Sequence, residues 1–353
     1  MIRENIQTLV EGTSLSGEAS RQAMREIMAG QATQAQIAAF LTALRMKGET
    51  VEEITALAQV MRENCVRINP QVKGRLVDTC GTGGDKIKTF NISTAAAFVA
   101  AGAGVTIAKH GNRSVTSRSG SADVLEKLGL NLNMDPQEVQ GAIEQVGVGF
   151  MFAPAFHPAM KYAIAPRKEV GIRTIFNILG PLTNPASANA HLLGVYAARL
   201  TKPIAEVLEK LGCEEAVVVH GLDGLDEIST VGKTVISHLK NGEVTTTEFN
   251  PEDFDIKKAC VDSLRGSTPE ENAEVLFKIF TGVCPIGEPK AEVVLVNSAA
   301  AVMVGGKAET FKEGMEIARE SVKSGAAYKK LESLISFSGG DLSKLQELER
   351  KHA

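Results

Sequence analysis

The sequence predicts an α/β fold in which a small N-terminal helical domain precedes a large domain with a mostly parallel central sheet. Up to about residue 70, apolar residues recur at helical spacing. From Arg75 onward, short strand-like runs alternate with helical runs, which is typical of a parallel sheet. The 353 residues suffice for two unequal domains. We therefore expect a helical domain over residues 1–72, with a returning segment near 160–185, and an α/β domain over 73–353.

The first 70 residues contain recognisable helix boundaries. Thr50 and Glu53 have the spacing of a capping box before the fourth apolar repeat. Gly30 and Gly48 stand where the second and third helices should end, because glycine readily adopts the left-handed backbone of a helix C-terminus. These signals predict a layer of short helices.

The remainder of the chain predicts strands separated by helices. We expect a hairpin over 234–247, because Asn241-Gly242 stands between two alternating runs. Proline and glycine gather between residues 154 and 185, which predicts a second crossing between the two domains. Other predicted strands are 76–80, 105–108, 148–152, 192–196, 216–220 and 293–296, and predicted helices include 95–103, 121–128, 136–146 and 310–324.

Composition excludes several classes of protein. The hydrophobic fraction of 44% and the charged fraction of 23% are ordinary for a globular chain. A net charge of −4 leaves no electrostatic footprint for nucleic acid, and no apolar run has the length of a membrane helix. Because the N-terminus is polar and the cysteines are scattered, we expect a cytoplasmic protein without disulfides or a zinc site. The five cysteines are Cys65, Cys80, Cys213, Cys260 and Cys284.

A glycine-rich loop directly follows the first predicted strand. It reads Gly-Thr-Gly-Gly-Asp over 81–85, and glycines there let backbone N–H groups approach a phosphate closely. Residues 91–94 then open a helix whose N-terminus can bind an anion, with Ser93 and Thr94 as candidate caps. Taken alone, the loop could equally be a tight strand–helix turn. It lacks the ending of a P-loop and the spacing of a dinucleotide-binding loop.

A second polar loop, over 109–117, follows the next strand. It combines two cations, one glycine and several hydroxyl and amide side chains, which suits phosphate binding. Both loops should lie at the carboxyl ends of neighbouring parallel strands, where ligands bind in open α/β sheets. The pair therefore indicates a phosphate site more strongly than either loop alone.

Two further groups carry chemistry. Asp226 and Glu227 follow a strand end, where paired carboxylates suit Mg²⁺, although an exposed acidic turn is the commoner fate of such a pair. An arginine before Phe176, either Arg167 or Arg173, could pair bidentately with a substrate carboxylate or could be a charge on a helix surface. His157, His191 and His220 are interpreted as structural residues.

Taken in order, these segments resemble the anthranilate phosphoribosyltransferase family from about residue 3 to about residue 337. The resemblance depends on several long motifs, which together are specific. Two departures, Pro166 before Arg167 and Ser298 after Asn297, touch no residue with an implied role. The motifs are GTGGD at 81–85, NIST at 91–94, KHGNR at 109–113, SGSADVLE at 119–126 and RKEVGIRTIFNILGPLTNP at 167–185.

The resemblance implies a nucleoside phosphorylase/phosphoribosyltransferase-like fold, a homodimer formed through the helical domains and a role in tryptophan biosynthesis. It implies transfer of the phosphoribosyl group of phosphoribosyl pyrophosphate to anthranilate. Magnesium would be held by Ser93, Asp226 and Glu227, anthranilate by Gly81, Asn112 and Arg167, and catalysis would depend on Lys109, Asp226 and Glu227. The implied contacts to phosphoribosyl pyrophosphate are Gly81, Gly84, Asp85, Thr89, Asn91, Ile92, Ser93, Thr94, Lys109, His110, Gly111, Asn112, Arg113, Ser114, Val115, Thr116, Ser117 and Ser121.

Two alternatives share this fold. A pyrimidine nucleoside phosphorylase would differ in its lysine-containing loop and its glycine pattern. A non-catalytic relative that binds nucleic acid should show a basic face and a degraded magnesium or anthranilate site. The charge of −4 and the complete set of implied ligands argue against the second alternative.

Overall fold

A computed structural model describes residues 1–114 and 119–353. Within this part of the chain, no helix is both long and apolar enough to span a membrane. Its helices are α1 (Ile2–Val10), α2 (Gly17–Met28), α3 (Gln34–Lys47), α4 (Val51–Glu63), α5 (Ile92–Gly102), α6 (Ser121–Lys127), α7 (Pro136–Val146), α8 (Ala153–Phe156), α9 (Lys161–Val170), α10 (Phe176–Leu182), α11 (Thr201–Lys210), α12 (Pro269–Phe280), α13 (Pro289–Val304), α14 (Phe311–Lys323), α15 (Ala326–Phe337) and α16 (Ser343–His352).

The strands form a mixed sheet with the order β3-β2-β1-β4-β5-β6-β7. Those from β1 to β5 pair in parallel, and β6 and β7 add an antiparallel hairpin at one edge. The predicted hairpin is confirmed, because Asn241 and Gly242 both take positive φ between its strands. The strands are β1 (Leu76–Gly81), β2 (Thr106–Gly111), β3 (Val148–Phe152), β4 (Ala190–Gly194), β5 (Glu215–Gly221), β6 (Thr234–Lys240) and β7 (Glu243–Phe249).

Capping and one buried ion pair define the N-terminal helices. The predicted capping box is confirmed: Thr50 Oγ1 accepts from the Glu53 N–H, and Glu53 Oε2 accepts from the Thr50 N–H at 2.8 Å. Glu53 is fully buried, and it also pairs with Lys47 at 2.7 Å and accepts from the Leu15 N–H at 2.9 Å. One carboxylate therefore fixes the ends of three segments, which compensates the cost of burying its charge.

Segment 161–182 returns from the sheet to these helices. Helix α9 packs against α2 and α3. A Cβ on Gly30 would lie 2.6 Å from a Tyr162 ring carbon, so only glycine permits this approach. Arg62 on α4 donates to the carbonyl oxygens of Leu182 at 2.8 Å and Leu211 at 3.2 Å. These contacts join the N-terminal helices to α10 and α11.

The sheet faces two apolar cores because successive strand residues point to opposite sides. Leu192 and Val217 belong to the core shared with α5, α13, α14 and α15. Leu193 and Val218, one residue along each strand, belong to the core shared with α1 to α4 and α9 to α11. The second core therefore runs from the N-terminal helices to the sheet without interruption.

The predicted strand at 293–296 is wrong, because these residues lie within α13. Val293, Val294, Leu295 and Val296 are all buried, so the helix is buried on every side. A helix buried all round has no amphipathic period, and a short apolar run cannot then be told from a buried strand. Pro289 at the first turn and the length of 16 residues are the signals that favour a helix.

His191 on β4 supplies a test of stability. It is fully buried, its Nε2 bonds the Ala188 carbonyl oxygen at 3.1 Å, and burial lowers its pKa from 6.5 to about 4. Since the folded pKa is depressed, the stability that His191 contributes above pH 6.5 is lost as the pH falls towards 4. We expect the free energy of unfolding of His191→Gln to depend less on pH over that range than that of wild type, by up to about 1.4 kcal/mol per pH unit.

Urea unfolding at several pH values would measure both slopes. Equal slopes for wild type and His191→Gln would show that this imidazole does not remain neutral in the folded protein.

Candidate active site

A cleft lies at the switch point of the sheet, where successive strands stop being added on one side of β1 and are added on the other side. From β1 the chain proceeds to β2 and β3 on one side, whereas β4 and β5 lie on the other side. Gly81 at the end of β1 is paired with Gly194 at the end of β4. Ligands of open α/β sheets bind in the crevice outside such a switch point, beyond the carboxyl ends of the strands.

This crevice is a cleft of about 710 Å³. It is lined from the sheet side by the loops that follow β1, β2 and β5, and from the opposite side by α9, α10 and the turn before α9. The structure therefore brings most of the site residues predicted from sequence into one space. Those lining the cleft are Gly81, Gly84, Asp85, Thr89, Asn91, Ile92, Ser93, Thr94, Lys109, His110, Gly111, Asn112, Ser121, Arg167, Asp226 and Glu227.

The glycine loop is held by its own polar groups. Gly83 and Gly84 have φ of 67° and 90°, which L side chains rarely adopt. The Asp85 carboxylate accepts from the Lys88 N–H, and from the N–H and hydroxyl of Thr89 at 2.9 and 2.5 Å. Asp85 and Thr89 thus close the loop on itself, a role that the sequence did not indicate.

Helix α5 starts at the edge of the cleft. It begins at Ile92 after Asn91, so the expectation that Ser93 or Thr94 caps it is wrong: both lie within its first turn. Thr94 Oγ1 is buried and has no hydrogen-bond partner in the described part of the chain. An unpaired buried hydroxyl in the first turn of a helix favours an oxygen-rich ligand at this end of the cleft, because a helix N-terminus also carries partial positive charge.

The acidic pair lies against the glycine loop and the start of α5. Glu227 is 8% exposed, and its Oε1 accepts from the Ser93 N–H at 3.1 Å. Asp226 Oδ2 lies 3.3 Å from where a Cβ on Gly81 would be. The pair is therefore not an exposed acidic turn.

Electrostatics at the pair favour an added cation. Burial, followed by repulsion from Asp85, raises the pKa of Asp226 to about 6. Burial, followed by repulsion from Asp226, raises the pKa of Glu227 well above its ordinary value. The charges of Arg173 and Lys109 offset these shifts only in part. A divalent cation among these oxygens would relieve the repulsion.

Lys109 is a buried cation at the floor of the cleft. It is 3% exposed, and its Nζ donates to the Thr79 carbonyl oxygen. Burial lowers its pKa, whereas the charges of Asp78 and Glu227 raise it. Asp78 accepts in turn from the His110 N–H at 3.2 Å and from Asn184 Nδ2 at 2.7 Å. Lys109 therefore belongs to a buried charge network that links β1 and β2.

Two histidines meet where the two walls of the cleft join, His110 on β2 and His157 in the turn before α9. His110 and His157 have ring centroids 5.0 Å apart, and His110 Nδ1 lies 3.3 Å from the Gly180 carbonyl oxygen. Burial lowers the pKa of His110 to about 3 and that of His157 to about 4, so both are neutral at pH 7. The sequence indicates a structural role for His157, and the residue does pack against His110, but it also lines the cleft. An isolated histidine carries no sequence pattern that would predict a position in the cleft.

Arg167 lies on the cleft side of α9. Its guanidinium carbon is 5.1 Å from the Phe176 ring centroid, and burial lowers its pKa. It is thus not a helix-surface charge. Apolar groups of Met160, Ile164 and Pro181 complete this wall beside it.

Arg173 also lines the cleft. The sequence indicates it only as an arginine near Arg167 that could pair with a substrate carboxylate, and the resemblance implies no role for it. It stands in the motif over 167–185, and its Nη2 donates to the Gly84 carbonyl oxygen at 2.7 Å. Its position within that motif is the only further signal that could have indicated it.

Among the residues that the structure describes, Arg113 and Ser114 do not line the cleft. Arg113 pairs with Glu126 at 2.8 Å and with Asp123 at 3.0 Å, and the Ser114 N–H donates to Asp123 at 2.9 Å. Val115, Thr116 and Ser117 lie outside the described residues. Contacts of this loop with phosphoribosyl pyrophosphate remain predictions.

The fold and the cleft together define a glycosyltransferase with a helical bundle and an α/β domain. The models of the glycosyl transferase family's helical bundle domain and a/b domain match residues 3–65 and 73–328. The chain belongs to the anthranilate phosphoribosyltransferase family. The resemblance, the fold class and the pentosyltransferase activity expected from the sequence are thereby confirmed.

Relatives and solved structures agree on this family. The chain is 52% identical over 343 residues to the anthranilate phosphoribosyltransferase of Acetivibrio thermocellus, covering 97% of this chain and 98% of the relative. Identity to that of Methanocorpusculum labreanum is 52% over 340 residues, covering 96% and 99%. The crystal structure from Thermus thermophilus has a TM-score of 0.88 at 41% identity, covering 95% and 99%. The Saccharomyces cerevisiae protein in complex with PRPP and Mg has a TM-score of 0.87 at 30% identity, covering 96% and 98%.

Proposed function

We propose that this chain transfers the phosphoribosyl group of phosphoribosyl pyrophosphate to the amine of anthranilate, releasing pyrophosphate, as a step of tryptophan biosynthesis. One observation carries the proposal: the acidic pair meets the glycine loop and the start of α5 in one cleft at the switch point of the sheet. Phosphate-binding backbone and metal-binding carboxylates thereby face the same space.

Ser93, Asp226 and Glu227 would hold magnesium. The fit is supported by the raised pKa of both carboxyl groups, because burial, with repulsion from Asp85 at Asp226 and from Asp226 at Glu227, disfavours their negative charges until a cation is present. All three donors are oxygens, which Mg²⁺ prefers. When bound, magnesium would neutralise charge that develops on the departing pyrophosphate.

Phosphoribosyl pyrophosphate would occupy the sheet side of the cleft. Gly81, Gly84 and the first turn of α5 line that side, and Thr94 offers a buried hydroxyl that has no hydrogen-bond partner among the described residues. Lys109 supplies the positive charge at the floor. These groups are fixed before the substrate arrives, so they need not reorganise as charge develops.

Anthranilate would occupy the opposite side, in contact with Gly81, Asn112 and Arg167. The Phe176 ring and Pro181 provide an apolar surface for a benzene ring, and the guanidinium of Arg167 above Phe176 suits a carboxylate. One aromatic acid and one phosphorylated sugar would thus meet between two walls of different chemistry.

The reaction requires little proton chemistry from the protein. The amine nitrogen attacks ribose C1 while the bond from C1 to the pyrophosphate oxygen breaks, through a transition state with positive charge on the sugar. An aromatic amine attacks as the neutral base, and its proton leaves afterwards to water or to pyrophosphate. We assign no general base, and positioning of the two substrates should supply much of the acceleration.

The same proposal covers organisation and location. We place the division between the domains at residues 72 and 73, with the segment near 160–185 returning to the helical domain, and the packing of α9 on α2 and α3 supports this. We also propose a homodimer formed through the helical domains and a cytoplasmic location.

Loss of anthranilate fluorescence tests the function. We expect loss only when protein, phosphoribosyl pyrophosphate, magnesium and anthranilate are all present. Folded protein that leaves the fluorescence unchanged would contradict the proposal. Phosphate-dependent cleavage of thymidine or uridine by that protein would favour a pyrimidine nucleoside phosphorylase, and binding to nucleic acid would favour a non-catalytic relative.

Arg167→Ala should raise the KM for anthranilate by about 10- to 100-fold, because a charged hydrogen-bonding partner of the carboxylate is removed. The KM for phosphoribosyl pyrophosphate should change little. Steady-state kinetics with each substrate varied would measure both constants. Lys168→Ala, at an exposed position next along α9, is the matched control. An unchanged KM for anthranilate in Arg167→Ala would show that Arg167 does not bind this substrate.

A further inference from the structure

Arg173 reaches the glycine loop from the opposite wall of the cleft. It lies between α9 and α10, on the segment that returns to the N-terminal helices. Its Nη2 donates to the Gly84 carbonyl oxygen at 2.7 Å, and its guanidinium carbon lies 4.8 Å from the Tyr196 ring centroid. The guanidinium is therefore fixed by a hydrogen bond and by an aromatic face.

The glycine loop is shaped to accept this arginine. A Cβ on Gly84 would lie 1.7 Å from Arg173 Nη2, so the approach requires glycine there. Tyr196 is tied to the same loop, because its N–H donates to Thr82 Oγ1 at 3.0 Å. The loop, the tyrosine and the arginine thus form one unit at the carboxyl ends of β1 and β4.

Most of the guanidinium remains available. A guanidinium carries five N–H donors, and in the described part of the chain the Gly84 carbonyl is the hydrogen-bond acceptor of Arg173, with no carboxylate within ion-pair distance. The residue is exposed and lines the cleft. Its charge also lowers the pKa of Asp226, so it lies near the acidic pair. A fixed guanidinium with free donors beside a phosphate-binding loop is suited to bind phosphate oxygens.

We propose that Arg173 is a further diphosphate-binding residue of this site, with its free N–H groups directed at the pyrophosphate portion of phosphoribosyl pyrophosphate. The inference rests on the proposed function and adds a ligand contact from the wall opposite the sheet. Positive charge there would complement the negative charge that grows on pyrophosphate as the bond to C1 breaks. It would also link occupancy of the diphosphate position to the segment that carries α9 and Arg167.

Kinetics of Arg173→Gln and Arg173→Lys separate a role in binding pyrophosphate from a role limited to the hydrogen bond with the Gly84 carbonyl oxygen. A glutamine amide can still donate to the Gly84 carbonyl but carries no charge, and lysine keeps the charge without the fork. We expect Arg173→Gln to raise the KM for phosphoribosyl pyrophosphate and the inhibition constant of inorganic pyrophosphate with magnesium together, by about 10- to 100-fold. The KM for anthranilate should not change. Arg173→Lys should show a smaller rise in the same two constants.

Arg199→Gln is the matched control, since Arg199 is an exposed arginine just beyond Tyr196 that does not line the cleft. It should behave as wild type. The proposal is overturned if Arg173→Gln leaves both pyrophosphate-dependent constants within about twofold of wild type, on the grounds that a charged contact contributes more than this. The proposal is also overturned if the KM values for both substrates and the melting temperature change together, because loss of a purely structural hydrogen bond would change all three.

Calorimetric titration of magnesium pyrophosphate into wild type and Arg173→Gln needs no turnover. If wild type did not consume anthranilate, the proposed function would fail while the titration still tested Arg173. Equal affinity in both proteins would overturn this inference even if the proposed function held.

Discussion

The double variant Asp226→Asn with Glu227→Gln is expected to lose magnesium-dependent turnover by at least about a thousandfold. Asp226 lies against the glycine loop and Glu227 against the start of α5, and their amide replacements carry no charge with which to hold a divalent cation. Without that cation the departing pyrophosphate loses its main electrostatic stabilisation. Turnover measured across a range of magnesium concentrations would show whether excess metal restores any activity.

The same variant should remain folded. Burial raises the pKa of both carboxyl groups, and repulsion from Asp85 at Asp226 and from Asp226 at Glu227 raises it further, so neutral amides remove unfavourable interactions from the metal-free protein. Thermal unfolding without magnesium should therefore show equal or higher stability than wild type. Glu248→Gln on the exposed edge strand is the control and should leave activity unchanged. Full activity in the double variant would remove the metal assignment.

Lys109→Met is expected to lower the free energy of unfolding by about 3–5 kcal/mol, the usual cost of leaving buried carboxylates without their compensating cation. The variant leaves Asp78 and Glu227 buried without the cation that lowers their pKa values. Burial already raises the pKa of Asp78 to about 6, and loss of Lys109 would raise it further. Denaturant unfolding at pH 7.5 would measure the change.

A second substitution identifies the cause. Lys109→Met combined with Asp78→Asn removes both charges, and we expect it to recover part of the lost stability, because an amide can still accept from the His110 N–H. Activity should remain low in both variants, since the charge at the cleft floor is absent. A loss below about 1 kcal/mol in Lys109→Met would show that its charge is not needed to bury Asp78.

The location of the cleft could be predicted because it depends on local signals. The glycine loop follows a strand, the lysine loop follows the next strand, and parallel strands place both at one edge of the sheet. The resemblance then supplied roles for Asp226 and Glu227 that spacing alone did not. The structure adds that these residues lie together with the loops in one cleft.

Residues whose position depends on tertiary packing escaped prediction. Arg173 comes from the returning segment and His157 from the turn before α9, and no local pattern tells which side chains of these segments line the cleft. Asp85 closes its own loop through a hydrogen-bond pattern that requires the backbone to be known. The run at 293–296 is in a helix buried on all sides, where the period that separates helix from strand disappears.

The second core has a consequence for how the chain can be divided. Ile175, Leu179 and Leu182 pack with the N-terminal helices and with Leu193 of the sheet in one continuous apolar cluster. Cutting the polypeptide at residue 72 would expose that cluster on both fragments. Each fragment would then carry a large exposed apolar surface that favours aggregation. The α/β portion is therefore not a free-standing module for fusion or truncation. The N-terminal helices bury the apolar surface of the α/β portion within the same chain and must be synthesised with it.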